Sequence, residues 1–409
     1  MTSAKPALLS VEGALEAIAS AMPMMGVETV ALKEGDGRVL ASPIDATLSH
    51  PPASVSAMDG YAAMAADLTA FPADLEMIGE SAAGHPYGGD ISKGQCVRIF
   101  TGAHCPPGAD TIILQEDTEA KGNRITVHEA PAKYRFIRPE GNDFSMGDRL
   151  FEAGRTLSAR SLALIGSAGH GTVEVRRKPR VAVISTGDEL VEPGVTPGPH
   201  QIISSNSIFL EKLIRAVGGE PLSLGIVRDE DKALDAALEQ SMAADLIVTS
   251  GGASVGKHDG IARRMQSGSD LSFWRIAMRP GKPLVFGHIG GDARTPLLGL
   301  PGNPVSTGVC GIIFAAAAIR AMLGQDYAPA YHHAVLEADL PQNDRRQEFM
   351  RARMAFRDDG RIAVTALQGQ DSGMMAVFAH AEALIMRPAN APAVGAGEIV
   401  PILMIPPGI

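Results

Sequence analysis

RVAVISTGDEL, residues 180–190, is the stretch that decides the fold. Val181–Ile184 is an unbroken apolar run, so the strand it forms is buried on both faces, as in a parallel sheet. It ends in a polar tip of Ser185, Thr186, Gly187, Asp188 and Glu189. The same grammar returns downstream, where Leu246–Val248 runs into Thr-Ser-Gly-Gly at 249–252. Further strands are expected at Leu222–Val227, Phe273–Ala277, Leu284–Phe286 and Pro296–Leu298. Helices are expected near Ser207–Val217, Asp231–Ser241, Asp259–Gln266 and Val305–Leu323. Alternating strands and helices give an α/β, doubly wound, mostly parallel sheet over about 180–325. Ligands in such sheets sit beyond the carboxyl ends of the strands.

Outward from this centre the patterning changes. Residues 57–140 carry short β-like runs, at Leu75–Ile78, Cys96–Ile99, Thr111–Leu114 and Ile125–His128, divided by Gly and Pro clusters. Residues 328–409 return to β patterning, with strands expected at Ala334–Leu336, Phe349–Phe356, Ile362–Thr365, Ala383–Met386 and Val400–Ile405. Residues 7–25 read as a helix capped by Ser10, with Val11, Ala14, Leu15, Ile18 and Ala19 on one face. The chain is thus multidomain, with β-rich regions on either side of the α/β sheet.

The 409 residues suit two to four domains of about 150 residues each. The 36 basic and 46 acidic residues leave a net charge of −10, which disfavours a dedicated nucleic-acid binder. Three cysteines, Cys96, Cys105 and Cys310, are too few and too scattered for a disulfide framework or a metal knuckle. They read as small buried residues in a reducing compartment. The N-terminus lacks a basic region followed by an apolar core, so no signal peptide is expected. The longest uncharged stretch, Thr295–Ile319, is broken by Pro301, Asn303 and Pro304. It reads as strand, loop and buried helix rather than a membrane span. A cytoplasmic protein with no membrane partner is the expectation.

Several clusters could carry chemistry. Asp188 and Glu189 at a strand tip suit Mg2+, which leans on one or two carboxylates plus substrate phosphates. A cap or a solvated loop accounts for them equally well. Asp229 follows the next strand, and an N-cap explains it at least as readily. The loop TSGGASVG at 249–256, with Ser250, Gly251, Gly252, Ser254 and Gly256, exposes backbone N–H groups and favours an anion site, with Asp259 close behind. It matches neither the P-loop nor the dinucleotide pattern. Its GxSxG string at 252–256 would suit a nucleophile elbow on Ser254, but no later His stands in a fitting context. Arg275, Arg279 and Lys282 surround Pro280 in RIAMRPGKP, a set of cations suited to an oxyanion or simply a solvated turn. Pro301, Gly302 and Asn303 open the last helix and shape a pocket or a plain turn. Asp59 and Asp143 read equally as turns, and Arg351 and Ser372 taken alone pass as surface residues.

Together the segments SAMDGYA (56–62), RIFTGA (98–103), GADTII (108–113), STGDEL (185–190), TSGGASVG (249–256), AMRPGKP (277–283) and GLPGNPVS (299–306) resemble the MoeA family of molybdopterin molybdenumtransferases, which is similar to the gephyrin E domain. Their order matches the family's. The resemblance implies four parts: an elongated connecting domain at 27–50 and 144–178, with the N-terminal helix at 1–26; a small β-rich domain at 51–143; a molybdopterin-binding α/β domain at 179–327; and a C-terminal β domain at 328–409. It implies a homodimer that moves molybdenum from molybdate to adenylylated molybdopterin, releasing AMP, with Mg2+ as the metal. Glu189, Asp229 and Asp259 match the family's acids at the metal and nucleotide site. Asp59, Thr101 and Asp143 match residues contributed by the facing subunit. Arg279, Arg351 and Ser372 match positions for molybdate. Molybdopterin adenylyltransferase and molybdoenzymes are the implied protein partners.

Arg275 and Arg279 stand where the family often has Lys, and Asn142 where it often has Glu. The rival readings are a molybdopterin adenylyltransferase, which shares the central domain type, and a non-catalytic molybdopterin-binding scaffold. The delivered oxyanion could equally be tungstate.

Overall fold

The computed structural model describes residues 8–129, 132–252, 260–268, 271–290, 294–406 and 408–409. The chain divides into two compact units, one of Met1–Glu28, Gly37–Ala41 and Val175–Ile409, the other of Thr29–Asp36 and Ser42–Glu174.

The first unit is built on a six-stranded sheet. Its strands are β1 (Arg180–Thr186), β2 (Glu220–Val227), β3 (Leu246–Ser250), β4 (Leu271–Trp274), β5 (Val285–Ile289) and β6 (Thr295–Leu300). The spatial order is β2-β1-β3-β6-β5-β4. The first four are mutually parallel, β5 runs antiparallel to β6, and β4 runs antiparallel to β5 and so points the same way as the first four. This is the mostly parallel α/β sheet read from the sequence. Every residue of β1 after Arg180, and all of β3 and β6, is buried, which the apolar runs require.

An N-terminal helix, α1 (Val11–Ala21), starts where the Ser10 hydroxyl accepts the Gly13 N–H at 3.0 Å. Between the strands lie α2 (Asn206–Ala216), α3 (Asp231–Ser241) and α4 (Gly260–Gly268). The long helix α5 (Pro304–Met322) follows β6 and is 89% buried, so its apolar length serves the core. Val11, Ala14, Leu15 and Ile18 of α1 join the core formed by α5 and one face of the sheet. The sequence grouped this helix with the connecting region. Its apolar face belongs instead to the α/β core, a partnership between segments nearly 300 residues apart that local periodicity does not reveal.

The C-terminal part of the unit carries β7 (Tyr331–Leu336), β8 (Gln347–Phe356), β9 (Ile362–Ala366), β10 (Ala383–Arg387) and β11 (Ile399–Met404). Their order is β8-β9-β7-β11-β10, and β10 pairs back onto β8, closing the ring. The short strand Met278–Arg279 adds to β8 in parallel.

The second unit has its own six-stranded sheet, with Gly60–Ala63 between Thr111–Leu114 and Gln95–Ile99. Gly60 is required there, because a Cβ would lie 1.8 Å from the Ile113 carbonyl oxygen. Cys96, Cys105 and Cys310 are free thiols. Burial raises Cys96 to about 12 and Cys105 to about 11, and pushes Cys310 up further, so all three stay protonated at neutral pH.

Candidate functional site

The site forms at the carboxyl edge of β1, β2, β3 and β6. Parallel pairing brings their tips level: Ser185 stands opposite Ser250, Thr186 opposite Val227, and Ser250 opposite Leu300. Past the tip of β1 the chain turns at Gly187, whose N–H donates to Val227 O. A Cβ on Gly187 would meet the Glu189 carboxylate at 2.7 Å, so Glu189 is folded back over the tip. The Asp188 carboxylate accepts the Asp229 N–H at 3.2 Å. Asp188, Glu189 and Asp229 thus gather at two adjacent strand ends. Beside them, Gly187, Asp188, Val191, Ile226 and Arg228 line a cleft of about 370 Å³.

The glycine loop leans on the same tip. Gly251 has φ +92° and a Cβ there would lie 2.4 Å from the Thr186 carbonyl oxygen. Gly252 has φ +63° and a Cβ there would lie 2.9 Å from the Thr186 hydroxyl. Only glycine combines that backbone with that approach. Ser185 and Thr186 carry buried hydroxyls with no partner among the described residues. Each such group costs about 1–3 kcal/mol unmet, so a polar ligand seated here would recover that energy. Ser254, Gly256 and Asp259 lie outside the described residues.

A hydrogen-bonded run leads from this loop to a buried guanidinium. Asn206 Nδ2, at the start of α2, donates to Ser250 Oγ at 3.2 Å and to Gly302 O at 2.8 Å. The next residue of that loop, Asn303, donates through Nδ2 to Ser372 Oγ at 2.8 Å. Ser372 follows Asp371, whose carbonyl accepts Arg351 Nη2 at 3.1 Å. Gln370 grips the Arg351 backbone from both sides: its Oε1 accepts the N–H and its Nε2 donates to the carbonyl. Arg351 is only 1% exposed, and burial pulls its pKa below the ordinary arginine value. Its Nε has no partner among the described residues. Pro301 closes the set through its carbonyl, which accepts the Thr307 hydroxyl.

The cations of RIAMRPGKP do not act as one cluster, because each has its own surroundings. Arg275 lies over the Trp274 ring at 4.9 Å. Arg279, which precedes Pro280, pairs with Glu348 at 2.6 Å and Asp344 at 3.6 Å, and the Glu348 carboxylate holds its pKa above the usual value. Lys282 is exposed.

In the second unit, Asp59 Oδ1 accepts both the Thr101 N–H at 2.7 Å and the Thr101 hydroxyl at 2.8 Å. The Thr101 backbone and side-chain hydrogen bonds hold the Asp59 pKa below the ordinary carboxylate value. Asp143 lies in a different loop, where its N–H donates to His50 O.

Residues 9–169 match the MoeA N-terminal region (domain I and II), 182–321 the probable molybdopterin binding domain, and 333–405 the MoeA C-terminal region (domain IV). The chain belongs to the MoeA family. That membership makes it a transferase of molybdenum cofactor biosynthesis. Among its relatives, the molybdopterin molybdenumtransferase of Haemophilus influenzae is 34% identical, over 92% of this chain and 93% of its own. The enzyme of that name from Nostoc sp. is 33% identical over 93% and 89%. The solved structure of a molybdopterin biosynthesis MoeA protein from Pyrococcus horikoshii superposes with a TM-score of 0.82. It is 30% identical and covers 97% of this chain and 99% of that one.

Three residues of this MoeA-family site escaped the sequence reading. Asn206 sits in an unremarkable Ser-Asn-Ser at a helix start. Gln370 sits in the polar, Gly-bearing QGQDSG loop, which could have been flagged for its likeness to the other loops. Glu348 gives no local signal, since its partners come from other strands.

Proposed function

We propose that this MoeA-family chain inserts molybdenum from molybdate into adenylylated molybdopterin and releases AMP. The observation that carries this reading is the hydrogen-bonded run Ser250–Asn206–Gly302/Asn303–Ser372–Asp371–Arg351. It ties a phosphate-type glycine loop to a buried cation suited to an oxyanion within one unit.

In this reading, Gly251 and Gly252 let the loop backbone close on a phosphate, and the hydroxyls of Ser185 and Thr186 receive polar atoms of the pterin or phosphate. Arg351 and Ser372, with Arg279, hold the tetrahedral dianion. Two reactants fixed side by side react as one molecule, which removes the entropic cost of their encounter. Cleavage of the phosphoanhydride by water breaks the P–O bond to AMP and frees the terminal phosphate of the pterin.

The donor set at the strand tips is all oxygen, and Glu189 is folded over Gly187, where a Cβ would clash with it. That chemistry fits Mg2+. Among the described residues no three His, Cys, Asp or Glu are arranged to hold an ion unaided. Glu189 and Asp229, with Asp259, would therefore share Mg2+ with substrate phosphate oxygens. Bound there, it would neutralise charge on the phosphates.

Asp59, Thr101 and Asp143 are assigned to the facing subunit's side of the site in a homodimer. Molybdopterin adenylyltransferase is the supplier of the substrate, and molybdoenzymes receive the product. Protonated, unpaired thiols suit a cytoplasmic location.

The test is AMP release by Glu189→Ala and molybdate binding by Arg351→Met. The first should lose release and the second should lose binding. Wild-type release by Glu189→Ala would remove the metal role, and unchanged molybdate affinity in Arg351→Met would remove the oxyanion role.

A further inference from the structure

Glu348 lies in the sheet between two arginines. On one side the Met278–Arg279 strand places Arg279 opposite it, and on the other β10 places Arg387 opposite it. Its carboxylate is bonded to Arg279 Nη2 at 2.6 Å, and its side chain is only 10% exposed. Its charge also reaches Arg351 and Arg387, supporting their protonated forms against burial. Both are nearly fully buried, at 1% and 4% exposure. Asp344 approaches Arg279 too, but it is neutralised by Arg346 at 2.9 Å. Asp371 also acts on Arg351, so the cluster holds three guanidiniums against two effective carboxylates, a surplus of one positive charge.

Donors outnumber acceptors as well. Arg279 Nε and Arg351 Nε are buried without partners among the described residues. Arg279, Glu348, Arg387, Gln370 and Met350 line a cavity of about 270 Å³. A carboxylate facing such a cavity occupies the donor that an incoming oxyanion needs.

We propose that Glu348 is the resident counter-ion of this arginine cluster and sets the affinity for the substrate oxyanion by competing with it for Arg279. The net positive charge draws in the oxyanion, while the competing carboxylate keeps the complex weak enough to surrender its cargo. This inference rests on the oxyanion reading of Arg279 and Arg351.

Molybdate binding is measured by calorimetry on the wild-type protein, Glu348→Gln and Glu348→Asp. Glu348→Gln keeps the shape and removes the charge, so molybdate should bind at least about tenfold more tightly. Glu348→Asp keeps the charge but draws it back from Arg279, and should show a smaller gain. It decides the matter if Glu348→Gln does not fold. Unchanged or weaker binding in the folded variants, with wild-type binding intact, overturns the competition and leaves the oxyanion reading standing. No molybdate binding by any of the three proteins overturns both.

Discussion

Replacing Gly251 by Ala tests whether the glycine loop is built to lie against the tip of β1. A non-glycine residue in the left-handed region costs about 1–2 kcal/mol. Gly251 sits at φ +92°, and its new Cβ would also come within 2.4 Å of the Thr186 carbonyl oxygen and 2.9 Å of the Thr186 hydroxyl. Relieving an overlap of this kind costs a further ~1–3 kcal/mol. The sum is about 2–5 kcal/mol. If the loop resists, the loss is seen as stability. If it moves, the backbone N–H groups leave their places and the loss is seen as affinity, where ~2 kcal/mol is about thirtyfold. Gly225 provides the reference, with φ +72° and nothing within 4 Å of a Cβ. Gly225→Ala should therefore show the backbone term alone. The assays are thermal unfolding and titration with adenylylated molybdopterin on both variants. Equal stability and equal affinity for Gly251→Ala and Gly225→Ala would refute the close-approach reasoning.

Asn206→Ala removes the bonds to Ser250 Oγ and Gly302 O. It should cost about 1–3 kcal/mol and weaken substrate binding about tenfold or more; steady-state kinetics with unchanged KM would count against the link. Thr101→Ala removes the hydroxyl bond to Asp59 and should raise the Asp59 pKa toward its ordinary value, read by carbon NMR titration. Because the folded pKa of Asp59 lies below the unfolded one, its contribution to stability is present above the unfolded value, near 4. That contribution fades as pH falls through the folded value. An Asp59 titration unmoved by Thr101→Ala would contradict this account.

The central sheet was legible because burial on both faces leaves an unmistakable trace. Val181–Ile184 and Leu246–Val248 are cores of β1 and β3, and the structure extends each through the polar tip that the sequence reading treated as site. Ser185, Thr186, Glu189 and Asp229 could be placed at strand ends for the same reason. Strand Gly60–Ala63 was not read, since four residues opening on glycine look like a turn, and it is the Ile113 carbonyl across the sheet that demands the glycine. The contacts that complete the site span long separations. Asn206 meets residues 44 and 96 positions away, and Gln370 meets Arg351 across 19. No periodicity encodes such pairs. The neutralisation of Arg279 by Glu348 was invisible for the same reason, so the sequence suggested a freer cation than the fold supplies.

The most direct measurement is AMP release from adenylylated molybdopterin with Mg2+, in the presence and absence of molybdate, with molybdenum in the pterin product quantified alongside. Molybdate should accelerate release, with one molybdenum entering the pterin for each AMP freed. ATP consumption with unmodified molybdopterin, and no molybdate-dependent release of AMP, would contradict it.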